Sequence, residues 1–249
     1  MSIETHIGRV AVVTGAAGGF GTAIATELAR RGADIIAVDL KPADDTVEAV
    51  TAAGRKAIAL QADISDPEQV AGITPDLLGF AGRVDILVNN AGIFPFADLF
   101  QLDFAEWRRI FAVNTDSQFL MATAVMRSMR DNGWGRIVNL ASNSLGLAVP
   151  GMVPYMAAKG AVVGFTRALA TDLAPFGITV NAVCPTASRT PGGQQFIGEE
   201  ILSHVAQMQA IKRVGVADDI VGTVCFLSSD DAAFMTGQTL VADGGLMRV

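Results

Sequence analysis

Charge is scarce in this chain. Only 17% of its 249 residues are Asp, Glu, Lys or Arg, while 51% are hydrophobic. So thin a charged surface predicts that apolar area is buried by partners as well as by folding. A homo-oligomer, with a tetramer as the expected size, is the simplest such partner. The charge present is net −7 with no basic run, which argues against nucleic acid. Cysteine is nearly absent. Cys184 and Cys225 each lie in an apolar run without metal-ligand spacing, and read as buried thiols of a reducing cytoplasm. Histidine is as rare. His6 and His204 stand far from every motif below and read as surface or loop residues, not metal ligands. No run of about 18 apolar residues occurs, so no membrane span is expected. Met1 to Gly8 lacks the charged-then-apolar pattern of a signal peptide.

What is present is a regular alternation of apolar strands and helices. The strand-like runs are Arg9 to Thr14, Asp34 to Asp39, Lys56 to Leu60, Val84 to Val88, Arg136 to Leu140, Ile178 to Val183 and Thr239 to Ala242. Helical spacing fills the gaps, most clearly in Phe20 to Arg31, Phe104 to Met129, Tyr155 to Ala174 and Asp218 to Ser228. Strands apolar on both faces, separated by helices, predict an α/β fold: a doubly wound parallel sheet covered on both sides. No linker divides the chain, so residues 1–249 read as one domain. The region from Pro185 to Ile197 is irregular and reads as a mobile loop at a site, within a substrate segment of about 185–210.

Three stretches carry chemistry. Tyr155 and Lys159 are four apart on a predicted helix, so they leave one face a turn apart. An ammonium beside a phenol favours the phenolate, and a tyrosine tuned that way can exchange a proton near neutral pH. Ser142 ends the strand before that helix, where its hydroxyl can meet the same substrate oxygen. The second stretch, Thr14 to Gly21, contains Gly15, Gly18, Gly19, Phe20 and Gly21. It joins a strand to a helix N-terminus, whose free N–H groups suit a diphosphate. Asp39 ends the next strand, where a carboxylate accepts from ribose hydroxyls and repels a 2′-phosphate, which favours NAD over NADP. Asp63 follows the third strand within reach of an adenine. The third stretch, Asn89-Asn90-Ala91-Gly92, places small residues and amides where the chain passes close to a ligand.

Together these motifs resemble the short-chain dehydrogenase/reductase family in its single-domain form. The match is carried by Thr14-Gly15-x-x-x-Gly19-x-Gly21, Asn89 to Gly92, Asn114, Ser142, Tyr155-x-x-x-Lys159 and Asp243-Gly244-Gly245. The resemblance implies a Rossmann sheet of seven strands in the order 3-2-1-4-5-6-7 and a nicotinamide cofactor. It implies Asn114, Ser142, Tyr155 and Lys159 as the catalytic set, with Asn114 holding a water that links Lys159 to solvent. It also places Leu40, Ile64, Asn90, Ala91, Gly92, Pro185, Ser188 and Thr190 beside the cofactor. Three positions depart from the usual pattern. Phe20 stands where the family mostly has Ile or Leu, Thr186 stands where it usually has Gly, and Ser188 replaces an aliphatic residue.

The expected substrate side comprises Phe94, Pro95, Phe96, Asn143, Leu145, Leu147, Val149, Met152 and the 185–197 loop. It is mostly apolar, with Arg189 as its one candidate cation. A neutral, partly hydrophobic alcohol or ketone fits such a wall. Gly164 to Ala170 and Thr236 to Leu240 are similar to the NAD-dependent aryl-alcohol dehydrogenases of the family, such as those acting on phenylethanol or pyridoxal. A 3-oxoacyl thioester reductase is the alternative enzyme, and a catalytically silent nucleotide-binding scaffold the alternative of another class.

Overall fold

The computed structural model describes residues 4–147, 149–190 and 197–247. In chain order its elements are β1 (Val10–Thr14), α1 (Gly19–Arg30), β2 (Asp34–Asp39), α2 (Asp44–Ala52), β3 (Ala57–Gln61), α3 (Pro67–Gly79) and β4 (Ile86–Asn89). Then come α4 (Phe104–Phe111), a π-helical turn (Ala112–Asp116), α5 (Ser117–Asp131), β5 (Gly135–Leu140), α6 (Ser144–Leu147), α7 (Val153–Leu173) and β6 (Ile178–Pro185). The chain continues with β7 (Ser188–Arg189), α8 (Glu199–Met208), β8 (Gly215–Val216), α9 (Asp218–Leu227) and β9 (Thr239–Ala242).

Seven strands form one parallel sheet in the order β3-β2-β1-β4-β5-β6-β9, as the motifs implied. The short pair β7–β8 stands apart from it, so the seventh sheet strand is the ninth in sequence. Alternation along each strand sorts the core into two layers. Ala11 and Val13 face α1 and α9, while Val10 and Val12 face the side covered by α3, α5 and α7. Central strands β1, β4 and β5 are buried at every position, whereas edge strands β3 and β9 are only partly covered. That contrast explains the unbroken apolar runs of the inner strands.

Local signals set the helix boundaries. Asp66 caps α3 by accepting from the Glu68 N–H at 2.9 Å, with Pro67 in the first turn. Asp103 caps α4 through the Glu106 N–H at 2.7 Å. The long helical stretch from Phe104 is not uniform, because the π-turn at Ala112–Asp116 interrupts it and carries Asn114 inward. The expected loop at 185–210 contains helix α8, and its part from 191 to 196 lies outside the described residues. No helix among the described residues is long and apolar enough to cross a membrane.

His6 corrects the surface reading; His204 is exposed as expected. The His6 ring is fully buried, with Nε2 3.0 Å from Ser228 Oγ and Nδ1 2.9 Å from Thr5 Oγ1. Burial, reinforced by Arg31 and Arg9, pushes its pKa down from 6.5 to about 4. The unfolded chain takes up this proton below about pH 6.5, while the folded ring refuses it until about pH 4. Stability from this group is therefore present above pH 6.5 and lost as pH falls toward 4. The loss is about 2–3 kcal/mol by about pH 4.5. His6→Gln should flatten this acid limb by that amount in urea unfolding at neutral pH and about pH 4.5. Equal acid sensitivity in both proteins would sink the prediction.

Candidate active site

The glycine-rich turn is held by contacts that leave no room for side chains. A Cβ on Gly21 would lie 2.0 Å from the Gly15 carbonyl oxygen, and Gly15 itself sits at φ +66°. The Asn90 amide donates to the Thr14 and Gly15 carbonyls at 2.9 and 3.1 Å, and Thr14 Oγ1 accepts from the N–H groups of Asn90 and Ala91. Thr46, which carried no sequence signal, donates to the Ala16 carbonyl at 2.6 Å. Helix α1 begins with no side-chain cap and no acidic residue in its first turn. Its N–H groups and partial positive charge thus face outward at the carboxyl edge of the sheet. Asp39 lies beside them: one oxygen accepts from the Ala17 N–H at 2.9 Å and the other from the Lys41 N–H at 2.9 Å.

A cavity of about 510 Å³ runs from this turn across the strand ends. Its walls include Gly15, Gly18, Gly19, Phe20, Asp39, Asn90, Ala91, Gly92, Asn114, Ser142, Tyr155, Lys159, Pro185, Ser188 and Thr190. Four expected residues are not on its walls. Gly21 packs against Gly15, Leu40 points to solvent, Ile64 is in the core, and the Asp63 carboxylate accepts from Ser65 Oγ at 2.6 Å and the Ser65 N–H at 2.9 Å. The cradle still fits a dinucleotide. It has backbone where a Cβ could not stand, a helix N-terminus without a side-chain cap, and a carboxylate at the end of β2 beside it.

At the far end Tyr155, Lys159 and Ser142 converge. Tyr155 hydrogen-bonds Ser142 and packs edge-on to Phe94, with ring centroids 6.5 Å apart. Ser142 Oγ accepts the Ser144 N–H at 3.2 Å. Lys159 is buried and donates to the Leu140 carbonyl at 2.7 Å, with its ammonium 5.8 Å from the Tyr155 ring centroid. Burial pushes Lys159 down to about 8 and pushes the Tyr155 hydroxyl up, with the Ser142 hydrogen bond opposing the latter. The expected lowering of the tyrosine is thus outweighed by desolvation in this site. Asn114 donates to the Ile93 and Ile110 carbonyls at 2.9 and 3.0 Å and accepts from the Ile93 N–H at 3.2 Å. Gly92 separates it from Lys159: a Cβ there would lie 2.7 Å from Asn114 Oδ1 and 3.4 Å from Lys159 Nζ.

The substrate end is walled by Phe94, Phe96, Leu147, Val149 and Met152, as expected, together with Asn143. Thr186 and Ile197 of the expected loop line it too; Pro95 and Leu145 are not on it, while Ser144, Ile201, Val205 and Leu246 are. Ile201 and Val205 fall inside the expected 185–210 substrate segment, but on a helix, α8, where a loop was expected. Arg189 pairs with Glu199 and is not on the wall. The cations that do line the cavity are Lys159 and, at the Asp39 end, Lys41. Cys184 and Cys225 are buried free thiols, and Cys184 lies behind Ser142, whose N–H points at its sulfur. No metal-binding cluster occurs among the described residues.

This arrangement of a dinucleotide cradle leading to a Ser–Tyr–Lys cluster defines an oxidoreductase, and the comparisons agree. A family model described as Enoyl-(Acyl carrier protein) reductase matches residues 15–247. The chain belongs to the short-chain dehydrogenase/reductase family, whose members use a nicotinamide cofactor. Versicolorin reductase 1 of Aspergillus parasiticus is 38% identical over 256 residues, covering 97% of either chain. The (2S)-[(R)-hydroxy(phenyl)methyl]succinyl-CoA dehydrogenase subunit BbsD of Thauera aromatica is 39% identical, covering 95% of this chain and 96% of its own. A solved structure assigned to the short-chain alcohol dehydrogenases, from Sinorhizobium meliloti 1021, superposes with a TM-score of 0.92. It is 38% identical, with 98% of each chain covered.

Proposed function

We propose that this protein is an NAD(H)-dependent dehydrogenase interconverting a neutral, partly hydrophobic secondary or aryl alcohol and its carbonyl. The observation that carries this reading is the convergence of Ser142, Tyr155 and Lys159 at the apolar end of the cavity that begins at α1. When bound, the nicotinamide accepts or returns the hydride. In alcohol oxidation the Tyr155 oxygen takes the hydroxyl proton. Ser142 donates to the same substrate oxygen and stabilises the charge developing there. Lys159 supplies a positive charge that favours the phenolate and is a candidate to hold the nicotinamide ribose. Asn114 holds the π-turn against the Ile93 segment, keeping the space beside Lys159 in which a water can connect it to solvent. Gly15, Gly18, Gly19, Asn90, Ala91 and Gly92 would carry the cofactor's diphosphate side, with Pro185, Ser188 and Thr190 beside its nicotinamide.

The apolar wall supports an uncharged group at the reacting end, and the phenyl-bearing secondary alcohol in the name of the Thauera relative, there part of a CoA thioester, supports an aryl one. The acyl-carrier-protein reading draws on the family model's description. It is less favoured, because Arg189 is engaged with Glu199 and Asp39 opposes the 2′-phosphate of NADPH. Formation of NADH across a panel of secondary and aryl alcohols tests the proposal. Turnover of 3-oxoacyl thioesters alone, or of none of these substrates, would overturn it.

Cofactor choice rests on Asp39. NAD should bind at least ten-fold more tightly than NADP, about 1.4 kcal/mol, and Asp39→Ala should narrow that gap. Titrations of both nucleotides decide it, and equal affinity in the unmodified protein counts against the assignment. We further propose a homotetramer in the cytoplasm. The outer face of α7 supports assembly: Gly164 has no neighbour within 4 Å of an added Cβ, and Phe104 on α4 and Phe119 on α5 are 74% and 57% exposed. The two free thiols support a reducing compartment. Sedimentation at micromolar concentration should give a tetramer, and a monomer would refute it.

A further inference from the structure

A buried polar cluster without a chemical role lies between the cavity wall and the chain's last turn. Gln209 follows α8 and is 2% exposed. Its amide donates to the carbonyls of Ile211 and Arg213 at 3.0 and 2.9 Å, and its oxygen accepts from Thr186 Oγ1 at 3.4 Å. Thr186 is 7% exposed and lines the main cavity. Its carbonyl accepts from Ser188 Oγ at 3.1 Å. Close packing surrounds the pair. A Cβ on Gly215 would lie 3.1 Å from Thr186 Cγ2, and one on Gly244 would lie 2.8 Å from Gln209 Nε2. One amide thus touches three segments: the wall after β6, the end of α8, and the turn after β9. A glycine at position 186 offers Gln209 Oε1 no donor, and a buried acceptor without one is costly.

We infer that Thr186 is a positioning residue. Its hydroxyl on Gln209 latches α8 to the cavity wall and so sets where Ile201 and Val205 stand over the substrate. The latch concerns the substrate body in ground and transition states alike, so its loss should raise KM and spare kcat. The kinetic consequence rests on the dehydrogenase reading proposed above, whereas the mobility of α8 does not.

Two measurements separate the latch from that reading. Thr186→Val keeps the shape and removes the hydroxyl. Amide hydrogen exchange across Glu199–Met208 should quicken about five-fold, the value of one net hydrogen bond. Thr186→Ser should restore it, and Thr186→Gly should behave as Val does if the latter fails to fold. KM for an accepted alcohol should rise by a similar factor in Thr186→Val, with kcat within about two-fold of the parent. Unchanged exchange in both Val and Gly variants, or no recovery with Ser, overturns the latch. A fall in kcat at constant KM overturns its positioning role. If exchange changes as stated while the parent oxidises no alcohol, the latch stands and the dehydrogenase reading falls.

Discussion

Tyr155→Phe cuts turnover by on the order of 10²–10⁴-fold while leaving the fold and NAD affinity in place. The ring's packing survives the change, since the edge-on contact with Phe94 uses carbon atoms and the substitution removes one oxygen. What goes is the atom that hydrogen-bonds Ser142 and that, in the proposed mechanism, takes the alcohol proton. The glycine turn and Asp39 lie at the other end of the cavity, so nucleotide titration should give a Kd within about two-fold of the parent. The single-turnover rate with a good alcohol is the decisive number. Near-normal turnover would transfer the chemistry to another group and reopen the scaffold and alternative-chemistry readings.

Lys159→Met should move the alkaline rise of alcohol oxidation to higher pH and weaken binding of the proposed NAD as well. The reason lies in how the buried pair loses its first proton. Burial disfavours the ammonium and disfavours the phenolate, so neither charge is comfortable alone. Removing one proton from the pair gives either a neutral amine with a phenol or an ammonium with a phenolate. The two forms bind equal numbers of protons, so they share one macroscopic step. Base catalysis runs through the ammonium–phenolate form. A methionine of similar length fills the space and removes the charge, leaving a buried phenol whose pKa is raised. The profile of kcat/KM against pH checks this. Because Tyr155 is the chain's only tyrosine, ultraviolet titration follows its phenolate separately from the lysine. A midpoint unmoved by the substitution would show that Lys159 does not tune the tyrosine.

Motif residues were legible where a short spacing encodes a fixed geometry. Tyr155 and Lys159 are one helical turn apart wherever the helix goes, and Gly15 to Gly21 must turn tightly between a strand and a helix. The site's far wall was legible as the segment 185–210 but not residue by residue. Ile201 and Val205 have an ordinary helical pattern, and only packing across the sheet's edge brings them to a cavity whose other wall precedes β6. Asp63 follows the third strand, and there its carboxylate also accepts from Ser65, a local partner that the motif did not announce. His6 looked peripheral because the first residues of a chain commonly are. Ser228, far along the sequence, gives its ring a buried partner.

The sequence by itself determined the parallel sheet, its helical cover and the cluster of reacting groups, because alternation, helical period and glycine sterics act over a few residues. Only the tertiary structure decided the charge states inside the site and the shape of its substrate end. Ionisation there depends on how completely Lys159 and Tyr155 are removed from water, a sum over elements distant in sequence. The substrate wall depends on where α8 is held, and by the latch proposed above that involves the buried Gln209 amide, which meets Thr186 from 23 residues away.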